Sequence, residues 1–292
     1  MMITVDTKLI ALLGNPLKQS FSARIQNNAF QQHGLDYEYF PIETNSESLE
    51  SIVRAIRHMN FAGFAVTKPD KVRVMQCLDE LDPLAETIGA VNTVVNSNGY
   101  LKGYNTDGEG CVRSLKENLD CSMEKAVFVC LGAGGSARAV CSSLAAHGAK
   151  EIYVTDLCDQ SAKQLVDRIN SNIAPVATMI PSEDKVALHR AIAQAQVLMN
   201  HTGVGMAPRL DASPIDKEVF RPDLLAFDAI YNPQKSRFLQ DAEAKGSEIL
   251  NGLGMLVYQG AIQFKLWTGY EEPAEIMFKT VNEILAEGKD TL

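Results

Sequence analysis

Gly132-Ala133-Gly134-Gly135-Ser136-Ala137 carries the spacing GxGxxG/A, with Gly132, Gly134 and Ala137 in the three key places. Each place answers a physical need, respectively a tight turn, close approach of a pyrophosphate to the backbone, and close packing of a helix on a strand. The motif follows the apolar run AVFVCL (126–131) and precedes the helical pattern RAVCSSLAAHG. It therefore reads as a strand, a glycine turn and a helix whose free N–H groups face phosphate. EIYVTD then ends in Asp156, at about the distance where a dinucleotide-binding unit places its ribose-binding acid. A carboxylate there accepts from both ribose hydroxyls and repels a 2′-phosphate, and the following LCDQS supplies no Lys or Arg. The expected cofactor is NAD rather than NADP, and hydride transfer is the chemistry it brings.

Hydride transfer to a carbonyl needs a proton donor nearby, a role that Lys or His fills when positioned and tuned. GFAVTKPDK (63–71) sets Thr67, Lys68, Asp70 and Lys71 at the end of a strand-like run. Open α/β sheets bind their ligands at such strand ends. GAVNT (89–93) and GYNTDG (103–108) carry further short polar residues after apolar runs.

The elements that position these groups alternate along the chain. LIALLG (9–14), YEYFPI (37–42) and FAGFAV (61–66) read as strands; IQNNAFQQHG (25–34), SLESIVRAIRHM (48–59) and VRVMQCLDEL (72–81) read as helices. VNTVV (91–95) and YLKGYN (100–105) flank Asn98-Gly99, the dipeptide of a tight antiparallel turn. From 109 a helix leads into a second alternating series, which closes on a helix from about Met255 to Trp267 and another from about Glu272 to Gly288. The fold class is α/β, with two domains; the first series implies βαβ units and a mostly parallel sheet with the hairpin as one antiparallel excursion, and the second alternates likewise.

At 292 residues the chain exceeds the usual single-domain size. No stretch reaches the roughly 18–20 apolar residues of a membrane helix. The N-terminus lacks the pattern of an export signal, so a cytoplasmic protein is expected. A net charge of −9 argues against nucleic acid as the main partner and leaves an anionic small molecule open. The 6 cysteines and 5 histidines show no metal-ligand spacing, so reduced thiols and no metal are expected.

Taken together, GNPLKQSFS (14–22), VTKPDK (66–71), IGAVNT (88–93), GYNTDGEG (103–110), GAGGSARA (132–139), NHTGVGM (200–206), DAIYNP (228–233) and NGLGMLVYQGAIQFKLWTG (251–269) resemble the shikimate/quinate dehydrogenase family. The resemblance implies a Rossmann NAD-binding domain, 109–246, inserted into a mixed α/β substrate domain built from 1–108 and 247–292. It implies oxidation of a hydroxylated ring carboxylate, shikimate or quinate, to the 3-dehydro acid. Lys71 and Asp107 become the catalytic pair, Lys71 relaying the proton and Asp107 positioning it and bonding the ring hydroxyls. Ser20 and Ser22 become the pair holding the substrate carboxylate, with Thr67, Asn92, Tyr231 and Gln259 as further substrate contacts. Thr202, Ala229 and Gly252 join the glycine turn and Asp156 on the cofactor. A monomer or homodimer follows. Ala65, Ala23 and Gln19 stand where the commonest members have Asn, Pro and His. The first of these, together with Asp156, leans the expectation toward the quinate/shikimate branch or a relative acting on a modified ring acid. The alternatives are a same-fold dehydrogenase for another ring acid, or a non-catalytic NAD- and quinate-binding regulator.

Overall fold

The computed structural model describes residues 3–288. The chain forms two compact units, Met1–Thr106 with Val257–Leu292, and Asp107–Leu256. No helix among the described residues is long and apolar enough to cross a membrane.

The first unit holds six strands: β1 (Lys8–Gly14), β2 (Tyr37–Glu43), β3 (Phe61–Val66), β4 (Glu80–Leu81), β5 (Thr93–Ser97) and β6 (Tyr100–Tyr104), in the order β2-β1-β3-β5-β6-β4. β1 runs parallel to β2 and β3, whereas β5 pairs antiparallel with both β3 and β6. The Asn98-Gly99 turn has φ of 54° and 92°, the left-handed pair that a two-residue hairpin demands. Ala11, Leu13, Phe64 and Val66 bury one face against Leu49, Val53 and Ile56 of α2 (Leu49–Arg57). Toward the chain ends, Phe30 of α1 (Ser22–Gln32) stacks at 5.3 Å on Phe264 of α9 (Leu253–Thr268). Trp267 of the same helix donates to Val94 O at 3.0 Å, over Gly63, where a Cβ would come within 2.1 Å of Val94 O. A last helix, α10, spans Ala274–Gly288.

One expected helix is absent. VRVMQCLDEL gives a 3₁₀ turn, Arg73–Cys77, and then β4. Its end is drawn onto the sheet edge: Asp79 N–H donates to Leu101 O at 3.0 Å, Leu101 N–H to Asp79 Oδ2 at 2.7 Å, and Asp82 N–H to Gly103 O at 2.8 Å. The short α3 (Pro83–Ile88) follows, capped by Asp82, with Pro83 at its first position.

The second unit holds β7 (Val127–Leu131), β8 (Glu151–Thr155), β9 (Ala177–Met179), β10 (Val197–Asn200), β11 (Leu225–Asp228) and β12 (Glu248–Leu250). Their order is β12-β11-β10-β7-β8-β9, all parallel, which is the doubly wound dinucleotide-binding order. Side chains alternate along β7: Phe128 and Cys130 enter the core on one face, Val127, Val129 and Leu131 the core on the other. A strand buried on both faces has to be apolar throughout, as VFVCL is. The helices are α4 (Asp107–Lys116), α5 (Gly135–Ala146), α6 (Asp159–Asn172), α7 (Lys185–Gln194) and α8 (Arg237–Ala244). α4 begins two residues earlier than the sequence suggests, and its Gly108 sits so close to α5 that a Cβ would meet Ala139 O at 2.4 Å.

Candidate active site

In the first unit the polar residues gather at the ends of β1, β3 and β5. Thr67 N–H donates to Leu13 O at 2.9 Å and Asn15 N–H to Lys68 O at 3.1 Å, so the loops after β1 and β3 lie side by side. The contact is close enough that a Cβ on Gly14 would fall 2.4 Å from Thr67 Cγ2. Ser20 and Ser22 stand at the start of α1, with Ser22 N–H on Ser20 Oγ at 3.3 Å. Lys71 follows Asp70, which is fully buried and accepts the Ser46 hydroxyl at 2.6 Å. Val91 N–H donates to Lys71 O at 2.8 Å, fixing the lysine's backbone against the segment that leads through Asn92 into β5.

Asn92, 2 % exposed, is the centre of a buried network. Its Oδ1 accepts from Thr106 N–H at 2.9 Å and from the Thr93 hydroxyl at 2.8 Å. Its Nδ2 donates to Thr106 Oγ1 at 2.9 Å and to Gln259 Oε1 at 3.4 Å. Asn92 and Gln259 are thus brought together, 167 positions apart in the chain. The sequence alone does not single out Thr106 or the buried Asp70–Ser46 pair; the TDG triplet and the polar residue inside PDK are the available signals.

In the second unit the glycine turn is built as its spacing implies. Gly132 has φ +103°, and a Cβ there would lie 3.0 Å from the carbonyl carbon of His201, so only glycine fits both the angle and the space. Around Gly134 and Gly135 a Cβ would meet nothing within 4 Å among the described residues. The start of the 12-residue α5 is therefore open on this side, and a helix N-terminus left open in this way can receive a pyrophosphate. Ala137 is fully buried and packs the helix onto the sheet. The fit to a dinucleotide rests on this open turn.

Asp156, at the end of β8, accepts Ala133 N–H on Oδ2 at 2.7 Å and Cys158 N–H on Oδ1 at 2.8 Å. Its charge is offset by these two N–H dipoles. Arg138, one turn into α5, sets its Nε 3.5 Å from Ala133 O, on the peptide that follows the one Asp156 holds.

The loop after β10 is braced from beneath. Thr202 N–H and its hydroxyl both donate to Asn200 Oδ1, at 3.0 and 2.7 Å. Asn200 Nδ2 in turn donates to Asp228 Oδ1 at 3.2 Å, which also accepts Ile230 N–H at 3.0 Å, while the Ser236 hydroxyl donates to Asp228 Oδ2. Burial pushes the Asp228 carboxyl up to about 6. Ala229 and Gly252 are adjacent: a Cβ on Gly252 would lie 2.2 Å from Ala229 O. Burial likewise raises the Tyr231 phenol. Asp107, 6 % exposed, opens α4, where the helix N-terminus favours a carboxylate. His201, Asn200 and Asp228 do not stand out in the sequence; NHTGVGM matches only by its family spacing, and none of the 5 histidines forms a ligand pair.

Comparison with known proteins follows the same division of the chain. The model of the shikimate dehydrogenase substrate binding domain matches residues 12–94, and that of the shikimate 5′-dehydrogenase C-terminal domain matches 252–281. A curated relative from Alkaliphilus oremlandii, named shikimate dehydrogenase (NADP(+)), is 44% identical over 96% of this chain and 98% of its own. The shikimate 5-dehydrogenase of Listeria monocytogenes, solved with shikimate and NAD, superposes with a TM-score of 0.89 at 38% identity, covering 96% of this chain and 98% of its own. The Thermus thermophilus enzyme, solved with NADP(H) and shikimate, gives 0.84 at 34% identity, covering 94% and 99%.

These relatives overturn the NAD preference read from Asp156. Curated relatives at 40–44% identity are named for NADP(+), and NADP(H) is bound in a solved neighbour. The physical reason lies in the turn. In the sequence the Asp156 carboxylate looks free to repel a 2′-phosphate, and residues 157–161 hold no cation to offset it. In the fold the carboxylate is engaged by Ala133 and Cys158, and Arg138 reaches the turn from α5. On identity, coverage and fold, this chain belongs to the shikimate dehydrogenase family.

Proposed function

We propose that the protein is an NADP-linked shikimate dehydrogenase, interconverting shikimate and its 3-dehydro acid. The observation that carries the reading is the glycine turn. Gly132 is locked under His201, while Gly134 and Gly135 leave the start of α5 open to a pyrophosphate, in a chain 44% identical to a shikimate dehydrogenase (NADP(+)). When bound, the nicotinamide accepts the hydride that leaves the ring carbon.

The chain's own residues handle the rest. Oxidation of the alcohol releases a proton, and Lys71 as free amine takes it from the hydroxyl while the carbonyl forms; in reduction the ammonium returns it. Asp107 is assigned to the ring hydroxyls. Ser20 and Ser22 donate to the ring carboxylate, and Thr67, Asn92, Gln259 and Tyr231 complete the polar contacts. The Asn92 network fixes the orientation of that side chain, which is bonded on both its amide atoms. Of these residues the first unit carries Lys71, Ser20, Ser22, Thr67, Asn92 and Gln259, and the second carries Asp107, Tyr231 and the glycine turn. Quinate is the second substrate to test, because Ala65 stands where Asn is usual in the family.

Initial rates with shikimate and quinate, each with NADP, test the proposal. Reduced nicotinamide is expected with shikimate, and failure to form it from either acid at any enzyme concentration contradicts the reading.

A further inference from the structure

Gln263 is a buried amide that the proposed reaction does not use. It lies on α9 one turn after Gln259, in the same unit as Asn92, and is 3 % exposed. Its Nε2 is 2.9 Å from Thr93 Oγ1, and Thr93, fully buried at the start of β5, sets that oxygen 2.8 Å from Asn92 Oδ1. One backbone group decides the direction of all these bonds. The Thr106 N–H can only donate, so the Asn92 atom 2.9 Å from it is the carbonyl oxygen. A carbonyl oxygen can only accept, so the Thr93 hydroxyl gives it its single proton. Thr93 Oγ1 then has only lone pairs to offer, and the Gln263 atom that faces it has to be the amide nitrogen. On the far side Asn92 Nδ2 donates, so Gln259 turns Oε1 toward it. Gln263, Thr93, Asn92 and Gln259 thus form one buried chain of bonds with a single sense.

The neighbouring strand adds a second observation. Ala65 of β3 is in register with Thr93, and register partners on antiparallel strands share a face of the sheet. Ala65 stands where the commonest family members have Asn, and its methyl offers Thr93 no donor. Here the amide reaches Thr93 from α9 instead. Without it the Thr93 hydroxyl could turn to Thr106 Oγ1, 3.4 Å away, and release Asn92 Oδ1. We infer that Gln263 is a positioning residue for the ring acid: it holds the Thr93 hydroxyl as the donor to Asn92, and supplies from α9 the amide that Ala65 lacks on β3. This rests on the reading that Asn92 and Gln259 contact the ring acid.

The test is calorimetric binding of shikimate to the full chain, with the KM values for shikimate and NADP measured beside it. Gln263→Met fills the same volume without a donor. It is expected to weaken shikimate binding and raise the shikimate KM about 5–10-fold, the equivalent of one buried hydrogen bond, with the NADP KM within about twofold of wild type. Gln263→Ala should show at least that loss, and Ala65→Asn added to it should recover most of the affinity, because the second amide then comes from β3. Wild-type affinity for shikimate in Gln263→Met, or a loss shared equally by shikimate and NADP, would overturn the inference; the second result would mark Gln263 as a general packing residue. Failure of Ala65→Asn to recover the Gln263→Ala loss would overturn the exchange between the two positions. A wild-type protein that binds no shikimate would instead overturn the reading on which the inference rests.

Discussion

Asp156 and Ala133 are joined by a 2.7 Å hydrogen bond from the backbone N–H of the glycine turn to the carboxylate at the end of β8. The acid that the sequence assigns to cofactor discrimination is also a brace, since its second oxygen holds Cys158 N–H. Asp156→Ala should lower stability by about 1–3 kcal/mol in urea unfolding, from two lost charge-assisted bonds, and raise the KM for NADP. Unchanged stability would show that the brace contributes nothing.

The glycines of the turn should separate two effects. Gly132→Ala places a Cβ 3.0 Å from His201 C at φ +103° and is expected to destabilise the fold by at least about 1–2 kcal/mol. Gly134→Ala meets no atom within 4 Å and has φ −72°, so stability should hold while NADP affinity falls. Calorimetric binding and thermal unfolding on both variants check this; equal loss of stability in the two would refute it.

The pH dependence of stability carries two opposed contributions. His201 has a folded pKa of about 4, below its unfolded 6.5, so its contribution is present above pH 6.5 and is lost as pH falls toward 4. Asp228 has a folded pKa of about 6, above its unfolded 3.8, so its contribution is present below 3.8 and is lost as pH rises through 6. Each is worth about 3 kcal/mol by linkage, so they largely cancel between pH 4 and 6. Asp228→Asn should expose a slope of stability rising with pH, and His201→Thr a slope falling with pH. Parallel curves for the wild type and both variants would contradict the assignment.

Asn92→Ala should cost about 2–4 kcal/mol, because the Thr106 N–H and Thr93 hydroxyl lose a buried acceptor. Denaturant unfolding measures it, and a cost under about 0.5 kcal/mol would mean that water or another group replaces the amide.

Strands such as FAGFAV and VFVCL are legible because burial on both faces leaves an uninterrupted apolar run, and the Asn98-Gly99 turn because its positive φ values favour those residues. VRVMQCLDEL misleads because its apolar spacing suits a helix, while the deciding interactions, Asp79 and Asp82 on β6, are made with residues about twenty positions on. β9 has three residues and α3 six, too short for a period to show, although Asp82-Pro83 marks the start of α3. In the candidate site the glycine spacing carries its meaning directly, since each glycine answers a local steric demand. The engagement of Asp156 by Ala133 and Cys158, and the place of His201 on Ser136, depend on which loops the parallel sheet brings together. No local pattern encodes them.

In the proposed reaction the proton passes through Lys71. The most direct test is steady-state oxidation of shikimate with NADP by the wild type and Lys71→Ala. NADPH formation is expected from the wild type, and in the variant a kcat lower by about 10²–10⁴-fold with the shikimate KM little changed. A Lys71→Ala enzyme that keeps the wild-type kcat would contradict it.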